Sequence, residues 1–178
     1  MNVRGREIMT DELPTAANEM IGKALYEEQT EFPIEMGYVY NTCAAVRNGN
    51  PLFWNAAVAS EITGGQIAPP TMLSVWFRPH YWAPGADGER KALMTHFDLK
   101  ELLHLPEAVV ASSETLFGEP VRIGDVLTTR QIVRSIGELK QTKLGIGRFW
   151  VIDVETVNQR DDWVGTDIYT MLGYRRPK

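Results

Sequence analysis

The spacing of apolar residues changes character near Val109: helical before it, alternating after it. Ala16, Ala17, Met20, Ile21, Ala24 and Leu25 recur at helical spacing. They predict a first helix with Thr15 as N-cap and Glu19 close behind. Phe32-Pro33-Ile34 reads as a short first strand, at an edge because Pro33 has no N–H to give a ladder. Met36, Val39, Tyr40 and Cys43 predict a second helix, stopped by Asn48-Gly49. A further helical stretch runs from Pro51 to about Glu61, and Gly64-Gly65 breaks the chain. Pro69 and Pro70 suit the first turn of a helix, where a missing N–H costs little. Met72, Leu73, Val75 and Trp76 make that helix apolar on most sides, so it should be buried. Pro79 ends it. Residues 81–90 read as a loop, and Phe97–Pro106 as a short helix in an insertion.

From Val109 the period becomes two. Val109–Phe117, Val126–Ile136, Lys143–Val157 and Trp163–Gly173 read as strands. Turns fall at Gly118-Glu119-Pro120, Gly124-Asp125, Gly137-Glu138 and Asp161-Asp162. Helices followed by a run of antiparallel strands predict an α+β domain. Residues 1–13 are polar and read as a flexible arm, which leaves residues 14–178 as one domain.

Composition narrows the function. With 178 residues, 44% of them hydrophobic, the chain can bury one sizeable core. A net charge of −5 and a pI of about 5.3 argue against nucleic acid as the main partner. Cys43 is the sole cysteine, so neither an intrachain disulfide nor a cysteine-rich metal site is expected. Its apolar surroundings make it a small core residue. No stretch approaches the roughly 20 apolar residues that span a membrane, and the start lacks the apolar run of a signal peptide. The expected setting is the cytoplasm. No phosphate-binding loop, dinucleotide-binding glycine pattern or metal-ligand cluster is present, so no cofactor or metal is expected.

Two segments, NPLFWN at 50–55 and GGQIAPPTMLSVW at 64–76, together resemble the MaoC-like enoyl-CoA hydratase family. Their order, their spacing and the strand-rich tail point to the fatty-acid-synthase-like dehydratase branch. The resemblance implies a hot-dog fold, a curved antiparallel sheet wrapped around a central helix that starts near Pro70. In active members an Asp two residues before the Asn-Pro and a His two residues after the Pro hydrate a 2-enoyl-CoA by general acid–base catalysis. Here Asn48 and Phe53 stand at those positions. An amide takes up no proton near neutral pH and a phenyl ring carries none, so the dyad is absent while Asn50, Pro51 and Leu52 remain. Active members also place a backbone N–H at the start of the central helix to polarise the thioester carbonyl. Its counterpart here is Thr71.

Other residues are candidates for ligand contact. Trp76 lies in the core motif, and Trp82 suits a pocket mouth or partner surface. Gly145 and Gly147 interrupt a strand, which suggests a bulge or a close backbone approach. Lys143 and Arg148 flank them, a pairing that suits either the phosphates of CoA or two solvated cations. Ser112-Ser113-Glu114 is a polar run on a strand, readable as a patch beside a ligand or partner or as edge surface. His96 and Asp98 read as a surface loop, with a catalytic pair as the alternative.

The resemblance implies a division of labour seen in heteromeric members, where a short subunit carries the Asp and His and a longer, dyad-free one accommodates a bulky acyl group. This chain is similar to the dyad-free partner of bacterial steroid side-chain hydratases. The expected partners are a 2-enoyl-CoA or other acyl-CoA and a second hot-dog subunit with an intact dyad. The alternatives are a homodimeric hydratase or thioesterase using other residues, with Glu61 the carboxylate nearest the central helix, or a non-enzymatic acyl-CoA-binding domain.

Overall fold

The structure, a computed structural model, describes residues 11–78, 84–85 and 92–177. Helices α1 (Thr15–Glu19), α2 (Met36–Ala45), α3 (Pro51–Trp54) and α4 (Ala56–Thr63) precede a 3-10 helix at Pro70–Val75, and α5 (Met94–Leu102) follows. The strands are β1 (Ala24–Gln29), β2 (Glu107–Phe117), β3 (Leu127–Ile136), β4 (Lys140–Thr142), β5 (Gly145–Asn158) and β6 (Trp163–Arg175). They form one antiparallel sheet in the order β1-β3-β5-β6-β2, with β4 paired to the start of β5. A register shift interrupts each of the other four pairings, and each such bulge bends the strand that carries it.

One face of the sheet carries the helices. At one end Leu127 and Val164 pack with Ile34, Val39, Cys43, Phe53, Met72 and Leu73. At the other, Val133, Trp150, Ile152 and Met171 pack with Ala17 of α1 and Leu99 of α5. Two glycines show how tightly this face is filled. A Cβ on Gly165 would lie 2.7 Å from Leu73 Cδ2, and one on Gly173 would lie 2.2 Å from the Trp150 ring.

The four strands expected from Val109 onward form within two residues of their expected ends, and Cys43 is buried in α2 as expected. The first half differs more. The first helix stops at Glu19, and Ala24–Gln29 is strand β1, because β3 offers this segment an edge to pair with. Phe32-Pro33-Ile34 is no strand; it leads into α2, with Ile34 N–H donating to Asp125 O at 2.8 Å. Pro51–Glu61 is two helices, separated by Asn55, whose side chain caps α4 by accepting from Ala57 and Val58 N–H. The expected central helix is only a six-residue 3-10 turn. Asp11 and Leu13, the described part of the expected arm, are held in place. Leu13 packs against the Trp150 cluster, and Asp11 accepts from Leu139 N–H at 2.9 Å.

Candidate active-site region

The turn between α2 and α3 is built by asparagines. Arg47 adopts a left-handed conformation, φ 54°, and reverses the chain after α2. Asn48 Oδ1 then accepts from Asn50 N–H at 3.1 Å, and Asn50 Oδ1 caps α3 by accepting from Leu52 N–H at 3.0 Å. Trp54 Nε1 donates to the Asn48 carbonyl at 2.6 Å while its ring stacks on Tyr40, centroids 4.9 Å apart. Asn48 is therefore a turn residue, its side chain spent on the backbone. Phe53 is 6% exposed, part of the core with Val39, Cys43 and Met72. Neither position of the dyad holds a group that can move a proton. Asn50, a candidate ligand contact, acts in this chain as the helix cap.

The 3-10 helix keeps one donor. Met72 N–H is bonded to Pro69 O at 2.9 Å, and Pro69 and Pro70 have none to give. Among the described residues Thr71 N–H has no partner, and the residue is exposed. A carbonyl oxygen could be polarised here. Trp76 follows directly, half-buried, its ring 5.8 Å from that of Tyr38 and its Nε1 buried with no acceptor. It lines a cleft of about 750 Å³ with Phe32, Glu35, Tyr38, Phe77 and Arg78, a size that suits a small-molecule ligand. Trp82 lies outside the described residues.

The candidate phosphate site disperses. Lys143 is exposed at the tip of the β4–β5 hairpin. Arg148 is 4% exposed and turns inward, on the same face as Trp150 two residues on. Its guanidinium donates to Gly137 O at 3.0 Å and Asp11 O at 2.6 Å, and Nη2 lies 3.3 Å from Asp11 Oδ1. Arg148 clamps the N-terminal segment onto the β3–β4 connection. The glycines mark a close backbone approach. A Cβ on Gly145 would sit 1.9 Å from Arg175 O, and one on Gly147 would sit 2.1 Å from Gly173 O.

His96 also moves. It is not in a surface loop but in α5, 7% exposed, its ring 5.5 Å from that of Trp150 and its Nδ1 without a partner. Burial, helped by the Lys100 charge, pulls it from 6.5 to about 4, so it is neutral near pH 7. Asp98, two residues on, instead accepts from the Tyr26 hydroxyl across the α5–β1 groove. That bond, then burial, then the Asp98 charge raise the Tyr26 phenol. Among the described residues no group of three or more His, Cys, Asp or Glu is placed to hold a metal ion.

Residues 19–167 match the family model for the FAS1-like dehydratase domain region. The chain belongs to this family. A curated relative, the probable enoyl-CoA hydratase alpha subunit of Thermomonospora curvata, is 27% identical over 168 residues. The match covers 89% of this chain and 50% of the relative, so the chain spans about half that protein's length. Among solved structures, the ChsH1–ChsH2 complex of Mycobacterium tuberculosis superposes with a TM-score of 0.75 at 19% identity, over 92% of this chain and 91% of that one. The HadBC (3R-hydroxyacyl-ACP dehydratase) complex of the same organism gives 0.58 at 18% identity, over 86% and 97%. A MaoC-like dehydratase from Rhodospirillum rubrum gives 0.56 at 16%, over 89% and 94%. These likenesses establish the hot-dog fold.

On that fold, this FAS1-like domain carries polar residues the sequence reading passed over. Asp167 and Tyr169 of β6 lie on the helix-bearing face of the sheet, Asp167 8% exposed and Tyr169 half-buried. The register pairs them with Thr115 and Ser113 of β2. The available signal was a polar run on one strand facing an Asp-x-Tyr on the next.

Proposed function

We propose that this chain is the acyl-accommodating, dyad-free subunit of a heteromeric 2-enoyl-CoA hydratase. The observation that carries the proposal is the α2–α3 turn, with Asn48 bonded to its own backbone and Phe53 sealed in the core. The shortened central helix supports it too, since six residues of 3-10 turn fill less of the sheet's inner face than a full helix does. The third support is β2. It is an edge strand of eleven residues, paired only with β6 among the described residues. It exposes Val109, Val110, Leu116 and Phe117. A long apolar edge invites a further strand, and a second hot-dog subunit supplies one. The substrate is a 2-enoyl-CoA with a bulky, steroid-like or branched acyl group, and the setting is cytoplasmic. The partner brings the Asp and His, while this chain brings the Thr71 N–H and the acyl-binding wall.

The test is enoyl-CoA hydration by the purified chain alone and after mixing with a short MaoC protein that carries both catalytic residues. Negligible turnover alone, with activity and a stable complex after mixing, is expected. Turnover by the pure chain that is lost on replacing Glu61 or a histidine would overturn the reading in favour of a self-sufficient enzyme.

A further inference from the structure

The inner wall of β2 and β6 holds a polar site that the fold itself does not use. Paired residues on neighbouring strands share a face, and so do residues two apart on one strand. Ser113 opposite Tyr169 and Thr115 opposite Asp167 therefore form a two-by-two array on the helix-bearing side. The same face continues to Met171 at one end, within the Trp150 cluster, and to Gly165 at the other, against Leu73 of the 3-10 helix. The array lies between the two halves of the core.

Its groups are oriented but incompletely satisfied. Thr115 Oγ1 donates to Asp167 Oδ1 at 2.6 Å, which fixes the carboxylate. Among the described residues, Asp167 Oδ2, the Tyr169 hydroxyl and the Ser113 hydroxyl have no hydrogen-bond partner. Asp167 is 8% exposed as a residue, yet its second oxygen stays open to solvent, so a donor from outside the fold can reach it. Burial, with the Asp167 charge adding and Arg78 opposing, raises the Tyr169 phenol, so it stays a neutral donor. The rim is apolar and open on the β2 side, where Val110 and Phe117 on the same face are 57% and 51% exposed.

We propose that Asp167, Tyr169 and Ser113 bind a hydroxyl group carried on the bulky part of the acyl chain, remote from the thioester. The proposal rests on the acyl-accommodating role above and adds to it the substrate class, a hydroxylated rather than purely hydrocarbon acyl group. A hydroxyl fits because it both donates and accepts. Its proton goes to Asp167 Oδ2, and its oxygen takes the proton of the Tyr169 or Ser113 hydroxyl. A ketone at the same place leaves the Asp167 oxygen without a donor, and a hydrocarbon leaves all three groups bare.

The experiment measures the affinity of the full chain for three CoA thioesters of one polycyclic acid, by calorimetry. Lithocholyl-CoA has one ring hydroxyl, its ring-keto analogue a carbonyl, and cholanoyl-CoA no ring oxygen. The hydroxylated probe should bind about tenfold more tightly than cholanoyl-CoA, with the ketone between them. Asp167→Asn and Tyr169→Phe should each erode that ratio by weakening the hydroxylated probe, with cholanoyl-CoA bound no more weakly than by the parent. Thermal melts establish that each variant is folded, and Tyr169→Phe, which removes one oxygen from a half-buried ring, serves if Asp167→Asn does not fold. Equal affinity for all three probes, a preference for the ketone, or a ratio that survives the substitutions overturns the subsite and leaves the acyl-binding role standing. Failure to bind any of the three overturns both.

Discussion

Restoring the dyad tests the reasoning about the α2–α3 turn most directly. Phe53→His replaces a side chain that is 6% exposed and packed among Val39, Cys43, Met72 and Leu73. Burying a Phe is worth about 2–3 kcal/mol, and an imidazole recovers only part of it. The apolar side chains packed around Phe53 offer the ring nitrogens no oxygen or nitrogen partner, at a further cost of about 1–3 kcal/mol. The sum, about 3–4 kcal/mol, is a large share of the roughly 5–15 kcal/mol that holds a domain together. Urea denaturation should show a midpoint lowered with an unchanged slope. Asn48→Asp keeps the oxygen that accepts from Asn50 N–H and should cost less than about 1 kcal/mol. The double variant should therefore be destabilised chiefly by position 53, and its enoyl-CoA hydration should stay weak at every pH. A Phe53→His cost below about 1 kcal/mol would mean that the site is open to water, and hydration near that of an intact family member would remove the case for a dyad-free subunit.

The other predictions concern packing, charge and pH. His96 is held at about 4 in the fold against 6.5 when unfolded. Between those values the unfolded chain binds the extra proton, so stability is complete above pH 6.5 and falls by about 3 kcal/mol as pH drops to 4. His96→Phe should flatten this slope in urea titrations, and an unchanged slope would refute the assignment. Arg148→Met should lower stability by about 1–3 kcal/mol, since it removes the donors to Gly137 O and Asp11 O while Asp11 itself stays 65% exposed, and CoA affinity stays as it was; a selective loss of CoA affinity would restore the phosphate-binding role. Gly147→Ala puts a Cβ 2.1 Å from Gly173 O and should lower the melting temperature by about 6–12 °C, taking a cost near 3 kcal/mol. A variant that melts with the parent would mean that β5 and β6 separate there easily.

What was legible followed from how local each signal was. Strands β2, β3, β5 and β6 announce themselves by period and by turn residues, and α2 by Val39 and Cys43 on one stripe. Strand β1 was hidden because Ala24–Gln29 has no buried alternation; its pairing with β3 is a fact about a distant segment. That Asn48 and Phe53 carry no group able to move a proton could be read directly, because it is a matter of which atoms are present. The fate of Arg148 could not be read from its charge, although its parity with Trp150 along β5 held the answer. Asp167 and Tyr169 belong to no motif. They become a site only when β2 brings Ser113 and Thr115 alongside.

The six-residue 3-10 helix at Pro70–Val75 has a thermodynamic consequence. In the proposed role, the cleft of about 750 Å³ at the end of this helix, beside Trp76, is filled by the acyl group and not by the chain itself. Occupancy then enters the folding equilibrium by mass action, and a ligand at a hundred times its dissociation constant adds about 2.7 kcal/mol. The melting temperature of the chain should climb with the size of the acyl group offered at equal CoA concentration. Short-chain thioesters should barely move it and polycyclic ones should move it by several degrees, so that a thermal melt ranks acyl groups without any turnover being measured.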